Sequence, residues 1–170
     1  MGHWNKVFFA RVATWALTHA GMAIGLFAVD RWFPPFSNAG TYALPVGLAV
    51  VQSVLLLKAL RGWTIVWVPA SLLGVFLSFL GIWWYLLFIG LGMGTTQALV
   101  LAAARLRRSW LWPLTGGVGW FLGMLAGGAA TDAFIRNSAY PQLLLPVLYT
   151  TATLVYGAFL GSTASLLVKR

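Results

Sequence analysis

The side chains with the widest chemical range in this sequence are His19, Gln52 and Gln97. His19 is the one ionisable side chain placed well within an apolar segment, where a titratable group is a functional candidate. As a neutral imidazole it could ligate a haem iron or a chlorophyll-type magnesium through one nitrogen, pass a proton, or bond a neighbouring carbonyl. The second ring of a bis-histidine haem site is missing, because His3 precedes the first apolar segment and sits beside Trp4 as an interfacial residue. Gln52 and Gln97 are amides in hydrocarbon, and an unpaired polar group there costs several kcal/mol. They are therefore expected to bond one another or backbone carbonyls across helices, or to coordinate a neutral solute.

Much chemistry is excluded by what is missing. There is no Glu and no Cys, and the two carboxylates, Asp30 and Asp132, are expected outside the hydrocarbon. Paired carboxylates for acid–base or glycosidic chemistry cannot be assembled. No phosphate-binding glycine loop, no HExxH and no Cys or His cluster is present, so no metal site is expected. Serine hydrolysis would need His19 to meet a serine and an Asp from the far face. The expectation is a protein that is not an enzyme and that requires no cofactor, with bound lipid or pigment left open.

The scaffold holding these residues follows from composition. Of 170 residues, 61% are hydrophobic and 8% charged, with a mean hydropathy of +0.87. A soluble fold of this size needs far more polar surface. Six apolar segments emerge, at residues 7–29, 43–60, 63–82, 84–104, 110–130 and 143–168. Each approaches the roughly 20 residues that cross a bilayer core about 30 Å thick. Pro34-Pro35 with Ser37 to Gly40, and Asn137-Ser138 with Pro141, mark loops, and Gly81 to Trp83 marks a tight hairpin. The predicted fold is all-α: a polytopic membrane bundle of six transmembrane helices in three tandem hairpins, in a single domain spanning residues 1–170. Lys6 and Arg11 before an apolar run imitate a signal peptide, but no small-x-small cleavage site follows, so a retained first helix is expected.

The charges give the bundle a direction. Lys6, Arg11, Lys58, Arg61, Arg105, Arg107, Arg108, Lys169 and Arg170 fall at one end of the segments; Arg31 and Arg136 fall at the other, beside Asp30 and Asp132. The positive-inside rule puts the larger set, and both termini, in the cytoplasm. The net charge of +9 is spread in ones, twos and threes at helix ends. That suits anionic headgroups rather than nucleic acid.

The even-numbered segments share a pattern: Gly47 then Gln52 then Lys58 and Arg61; Gly92 then Gln97 then Arg105 to Arg108; Gly157 then Ser162 then Lys169 and Arg170. Three such copies, inserted in one sense, suggest a pseudo-threefold bundle. The Gly-x4-Gln pattern leading to an aliphatic run and a basic end resembles a group of small multi-spanning bacterial membrane proteins of cyanobacterial type. The resemblance covers residues 43–170. In that group a Trp usually follows the glutamine, where this chain has Ser53 and Ala98, and the third copy carries Ser162 in place of Gln. It implies architecture and no activity.

Glycines recur four apart as Gly21/Gly25, Gly90/Gly94, Gly119/Gly123/Gly127 and Gly157/Gly161. Such spacing puts them on one helix face, as grooves for close helix packing or for a helix of another protein. Trp4, Trp32, Trp63, Trp67, Trp83, Trp84, Tyr85, Trp110, Trp112 and Tyr140 read as an aromatic belt at the membrane edges, with Trp15 and Trp120 deeper as fillers. The function expected from these features is a non-enzymatic integral membrane subunit that packs against and helps assemble a larger bacterial complex, respiratory or photosynthetic. Its partners would be membrane lipid and other membrane subunits, in the plasma membrane or an internal photosynthetic membrane. A small uniporter or channel for a neutral solute, and a pigment- or haem-binding subunit through His19, are the alternatives.

Overall fold

The computed structural model describes the backbone of residues 3–32, 39–79, 85–137, 140 and 143–169. Side chains are described for the same residues except 3–5, 30–32, 39–42, 79, 85–88, 136, 137, 168 and 169. Of the loop expected from Pro34 to Gly40, residues 34–38 lie outside the described residues, whereas Ala39 and Gly40 already belong to a helix. The hairpin at Gly81 to Trp83 also lies outside the described residues, as does most of the loop before the last helix.

The chain is a helical bundle. Its helices are α1 (His3–Trp32), α2 (Ala39–Leu55), the one-turn α3 (Leu57–Leu60), α4 (Thr64–Phe79), α5 (Tyr85–Ala103), α6 (Leu111–Asn137) and α7 (Leu144–Leu166), with a 3-10 turn at Arg61–Trp63. Four stretches are long and apolar enough to cross a membrane, namely Lys6–Val29, Leu57–Ser78, Leu111–Ile135 and Leu144–Leu166. The second of these runs through the turn at Arg61. Ala43–Leu55 and Ile89–Ala103 are shorter apolar helices.

Several element boundaries differ from the sequence expectation. Helix α1 runs from His3 to Trp32, beyond the expected 7–29, and α2 begins at Ala39 rather than at residue 43. The segment 43–60 is interrupted at Leu56, where the backbone leaves helical geometry (φ −98°, ψ 3°) before α3 begins. Helix α6 continues past the expected stop at Ala130 and ends only at Asn137. Neither glycine nor proline interrupts it after Gly128, and Thr131 bonds back to the carbonyl of Gly127. Asp132 and Arg136 thus sit four apart along one helix rather than in a loop.

Around the bundle, α1 packs on α2, α2 on α4, α4 on α5, α5 on α6, α6 on α7, and α7 back on α1. The order is sequential and the ring is closed. Facing residues show helices running in opposite directions along the seams. Gly119, Gly123 and Gly127 of α6 meet Phe159, Ala152 and Leu148 of α7 in turn, and Gly157 and Gly161 of α7 meet His19 and then Val12 of α1. Gly90 and Gly94 of α5 face Gly116 and Pro113 of α6. When neighbours are antiparallel all the way round, a ring closes only on an even number of helices.

Close approach is what the seam glycines provide. A methyl group on Gly123 would lie 2.5 Å from the carbonyl oxygen of Ala152, and one on Gly157 would lie 2.7 Å from that of Trp15. Where water drives no association between helices, such backbone-to-backbone contact supplies the dispersion energy. The groove on α6 is filled by α7 of the same chain. Gly21 and Gly25 differ: nothing lies within 4 Å of a methyl group at either position.

A two-residue antiparallel ladder pairs Leu106 with Lys169 and Arg107 with Val168. It ties the basic turn after α5 to the basic end of α7.

Candidate functional site

Inside the ring, polar side chains from six helices meet. His19, Gln52, Ser71, Gln97 and Trp112 are fully buried, and Tyr156 nearly so. They come from α1, α2, α4, α5, α6 and α7 respectively, so each helix of the ring contributes one member. At about 1.5 Å per residue, Gln52 lies about 9 Å along the chain axis from Lys58, and His19 about 12 Å from Arg11. The cluster therefore sits in the half of the bundle nearer the basic end.

Gln97 is the hub. Its Nε2 donates to Gln52 Oε1 at 2.7 Å and to Ser71 Oγ at 2.7 Å. Its Oε1 accepts from Trp112 Nε1 at 2.7 Å. Ser71 Oγ in turn donates to the carbonyl of Trp67 at 2.7 Å. Gln52 passes the chain on with longer bonds, from its Nε2 to Tyr156 Oη at 3.4 Å and to His19 Nε2 at 3.5 Å. His19 Nδ1 lies 2.7 Å from the carbonyl of Trp15.

The two ends fix the direction of every bond between them. An indole N–H can only donate and a carbonyl can only accept. Trp112 therefore requires the oxygen of Gln97 to face it, which turns the Gln97 amide nitrogen to Gln52 and Ser71. The oxygen of Gln52 faces that nitrogen, so its own nitrogen faces Tyr156 and His19. His19 Nε2 must then accept, leaving the proton on Nδ1 to bond Trp15. The imidazole is held in one tautomer by a chain of bonds that starts from the indole of α6.

Aromatic rings fill the remaining space. Trp67 meets Trp112 edge-on at 5.9 Å between centroids, and Trp112 meets Trp15 at 5.8 Å. Trp15 stacks on His19 at 5.6 Å, His19 meets Tyr156 at 6.0 Å, and Tyr156 meets Trp120 at 5.5 Å. Two of these pairs, Trp67 with Trp112 and Trp112 with Trp15, join helices that are not ring neighbours, so the rings reach across the interior and plug it. Edge-on contacts at such separations each add about 0.5–1.5 kcal/mol beyond burial.

The structure brings Gln52, Gln97 and His19 together. Ser162, the third-copy counterpart of the glutamines, stays outside the cluster and bonds back to the carbonyl of Ala158. Helix α7 contributes Tyr156 instead, so the three copies are not equivalent here. Trp67 and Trp112 are wholly buried and belong to the interior rather than to the aromatic belt. Their nearness to basic turns imitated an interfacial position. Trp63 and Trp110, by contrast, are 42% and 64% exposed. Ser71 and Tyr156 gave only a faint signal, a polar atom inside an apolar run. Among the described residues, the indole nitrogen of Trp67 is the one buried side-chain polar atom with no hydrogen-bond partner, and no group of three or more metal-ligating side chains occurs.

Comparison with known proteins finds no matching family, no matching curated protein and no matching solved structure.

Proposed function

We propose that this chain is a non-enzymatic integral membrane subunit that crosses the bilayer six times, keeps both termini in the cytoplasm, and packs against a larger bacterial membrane complex. The observation that carries the reading is the closed interior. The glutamines bond each other, His19 has both ring nitrogens engaged, and indole and phenol rings fill the space between. A solute path would have to break the bonds of Gln97, and a macrocycle on His19 would have to displace Gln52. The interior polar groups serve the fold, which leaves the outer surface for recognition.

Six crossings are supported by the opposite helix directions along the α5–α6, α6–α7 and α7–α1 seams and by the charges. On α1, Arg11 and Asp30 are about 28 Å apart along the axis at about 1.5 Å per residue, close to the thickness of a hydrocarbon core. The outer surface is apolar, with Leu17, Ile65, Phe76 and Leu99 each more than half exposed.

The test is gentle solubilisation followed by native electrophoresis and mass spectrometry of what travels with the protein. A subunit comigrates with other membrane proteins. Migration as an isolated monomer, combined with solute flux in liposomes above that of empty vesicles, would overturn the reading in favour of a uniporter.

A further inference from the structure

The basic end of the bundle contains a cleft of about 570 Å³. Arg11 and Trp15 of α1 form one side, Val54 to Ala59 around the bend at Leu56 form another, and Ala164 and Leu167 close it from α7. Three features of this cleft belong together. Arg11 and Lys58 bring two cations into one concavity from different helices. Val54 and Leu57 give it an apolar wall, 64% and 55% exposed. Trp15, only 3% exposed, is also part of the aromatic plug.

The two cations have no carboxylate side chain to meet. The chain contains only Asp30 and Asp132, with no Glu. Asp30 lies about 28 Å from Arg11 along α1. Asp132 belongs to α6, which starts at the basic end with Leu111, and lies about 32 Å along that helix. Grouped cations at the edge of a low-dielectric slab attract an anion from outside. A ligand that satisfies both walls carries a negative headgroup joined to hydrocarbon, and a cleft of several hundred Å³ is a normal size for a bound small molecule.

We propose that this cleft is a binding site for the phosphate headgroup of an anionic phospholipid. Arg11 and Lys58 hold the phosphate, and the lipid's glycerol and first methylenes lie against Val54 and Leu57. The proposal rests on the membrane reading above. If that reading were wrong, the chain would stay folded in aqueous buffer without detergent. If only the lipid site were wrong, the protein would still need detergent but would not discriminate between headgroups.

The experiment is native mass spectrometry of the full chain in mild detergent, titrated with phosphatidylglycerol, with phosphatidylcholine and with inorganic phosphate. Phosphatidylglycerol is expected to remain bound, and the paired substitution Arg11→Gln with Lys58→Gln to weaken it about 30-fold. Arg107→Gln, at an exposed cation outside the cleft, should leave it unchanged. Leu57→Glu keeps both cations and adds a competing carboxylate to the wall, so it should weaken retention even if the paired variant fails to fold. Equal retention of phosphatidylcholine, full competition by inorganic phosphate, or unchanged binding in Leu57→Glu would each overturn the site. Copurification of an acidic protein that phosphatidylglycerol cannot displace would overturn it in favour of a protein partner.

Discussion

Along the α6–α7 seam, Gly119, Gly123 and Gly127 let one helix backbone settle against the other. On the bundle axis, Gln97 of α5 reaches across the ring to Gln52 of α2 and also bonds Ser71 and Trp112 of its neighbours α4 and α6. The seam works by removing side chains and the axis by filling space with large ones that carry a donor or acceptor. Both answer the same problem, since lipid tails are as apolar as leucine and burial alone gives helices no reason to associate. A seam is strong where nothing protrudes; an axis is strong where every protruding polar atom finds a partner.

The largest expected effect tests the seam. Gly123→Leu must push a side chain into the carbonyl of Ala152 and should cost about 3 kcal/mol of stability, read as loss of the folded fraction in a detergent unfolding titration. A smaller effect would mean that α7 can slide away and that the seam is softer than its contacts suggest. Next comes the hub. Gln97→Leu removes a bond from each of Trp112, Ser71 and Gln52 and should cost about 2 kcal/mol. In the same assay, adding Gln52→Leu should then cost less than it does alone, because contacting residues in one network are not additive.

Two tryptophans sharpen the comparison within the axis. Both are wholly buried, but Trp112 donates to Gln97 while the Trp67 indole nitrogen has no partner among the described residues. Trp112→Phe should therefore be worse than Trp67→Phe by about 1 kcal/mol, the two losing the same volume. Equal thermal shifts would mean that ring packing outweighs the hydrogen bond. The smallest effect is at Gly21→Ala, where the added methyl group meets nothing. Stability of the purified monomer should hold or rise by up to about 1 kcal/mol. A loss of copurifying partners in that variant, with the monomer intact, would mark this face of α1 as a contact with another subunit.

Much of this fold was legible beforehand. Apolar segments bounded by charge reveal helices because a backbone in hydrocarbon must satisfy its own hydrogen bonds. The glutamines stood out because an amide in such a segment needs a partner. Their partners were harder to read. Trp112 lies in the first turn of its helix, close to the Arg107-Arg108 turn, where an interfacial role was the simpler inference. Tyr156 and Ser71 carry single polar atoms common in apolar helices. The bend at Leu56 and the extension of α6 to Asn137 arose in stretches without proline or glycine at the boundary.

From residue types alone came the helical class, the basic and acidic ends, and the need for polar pairing inside. These depend on local chemistry: hydropathy, charge and the cost of an unpaired amide are properties of each side chain in its solvent. Which six side chains meet, that α7 rather than an outside helix occupies the α6 groove, and which tautomer His19 adopts were decided by the closing of the ring. That closure depends on distances between residues as far apart in the chain as Trp15 and Gly161, and no spacing within a single helix encodes them.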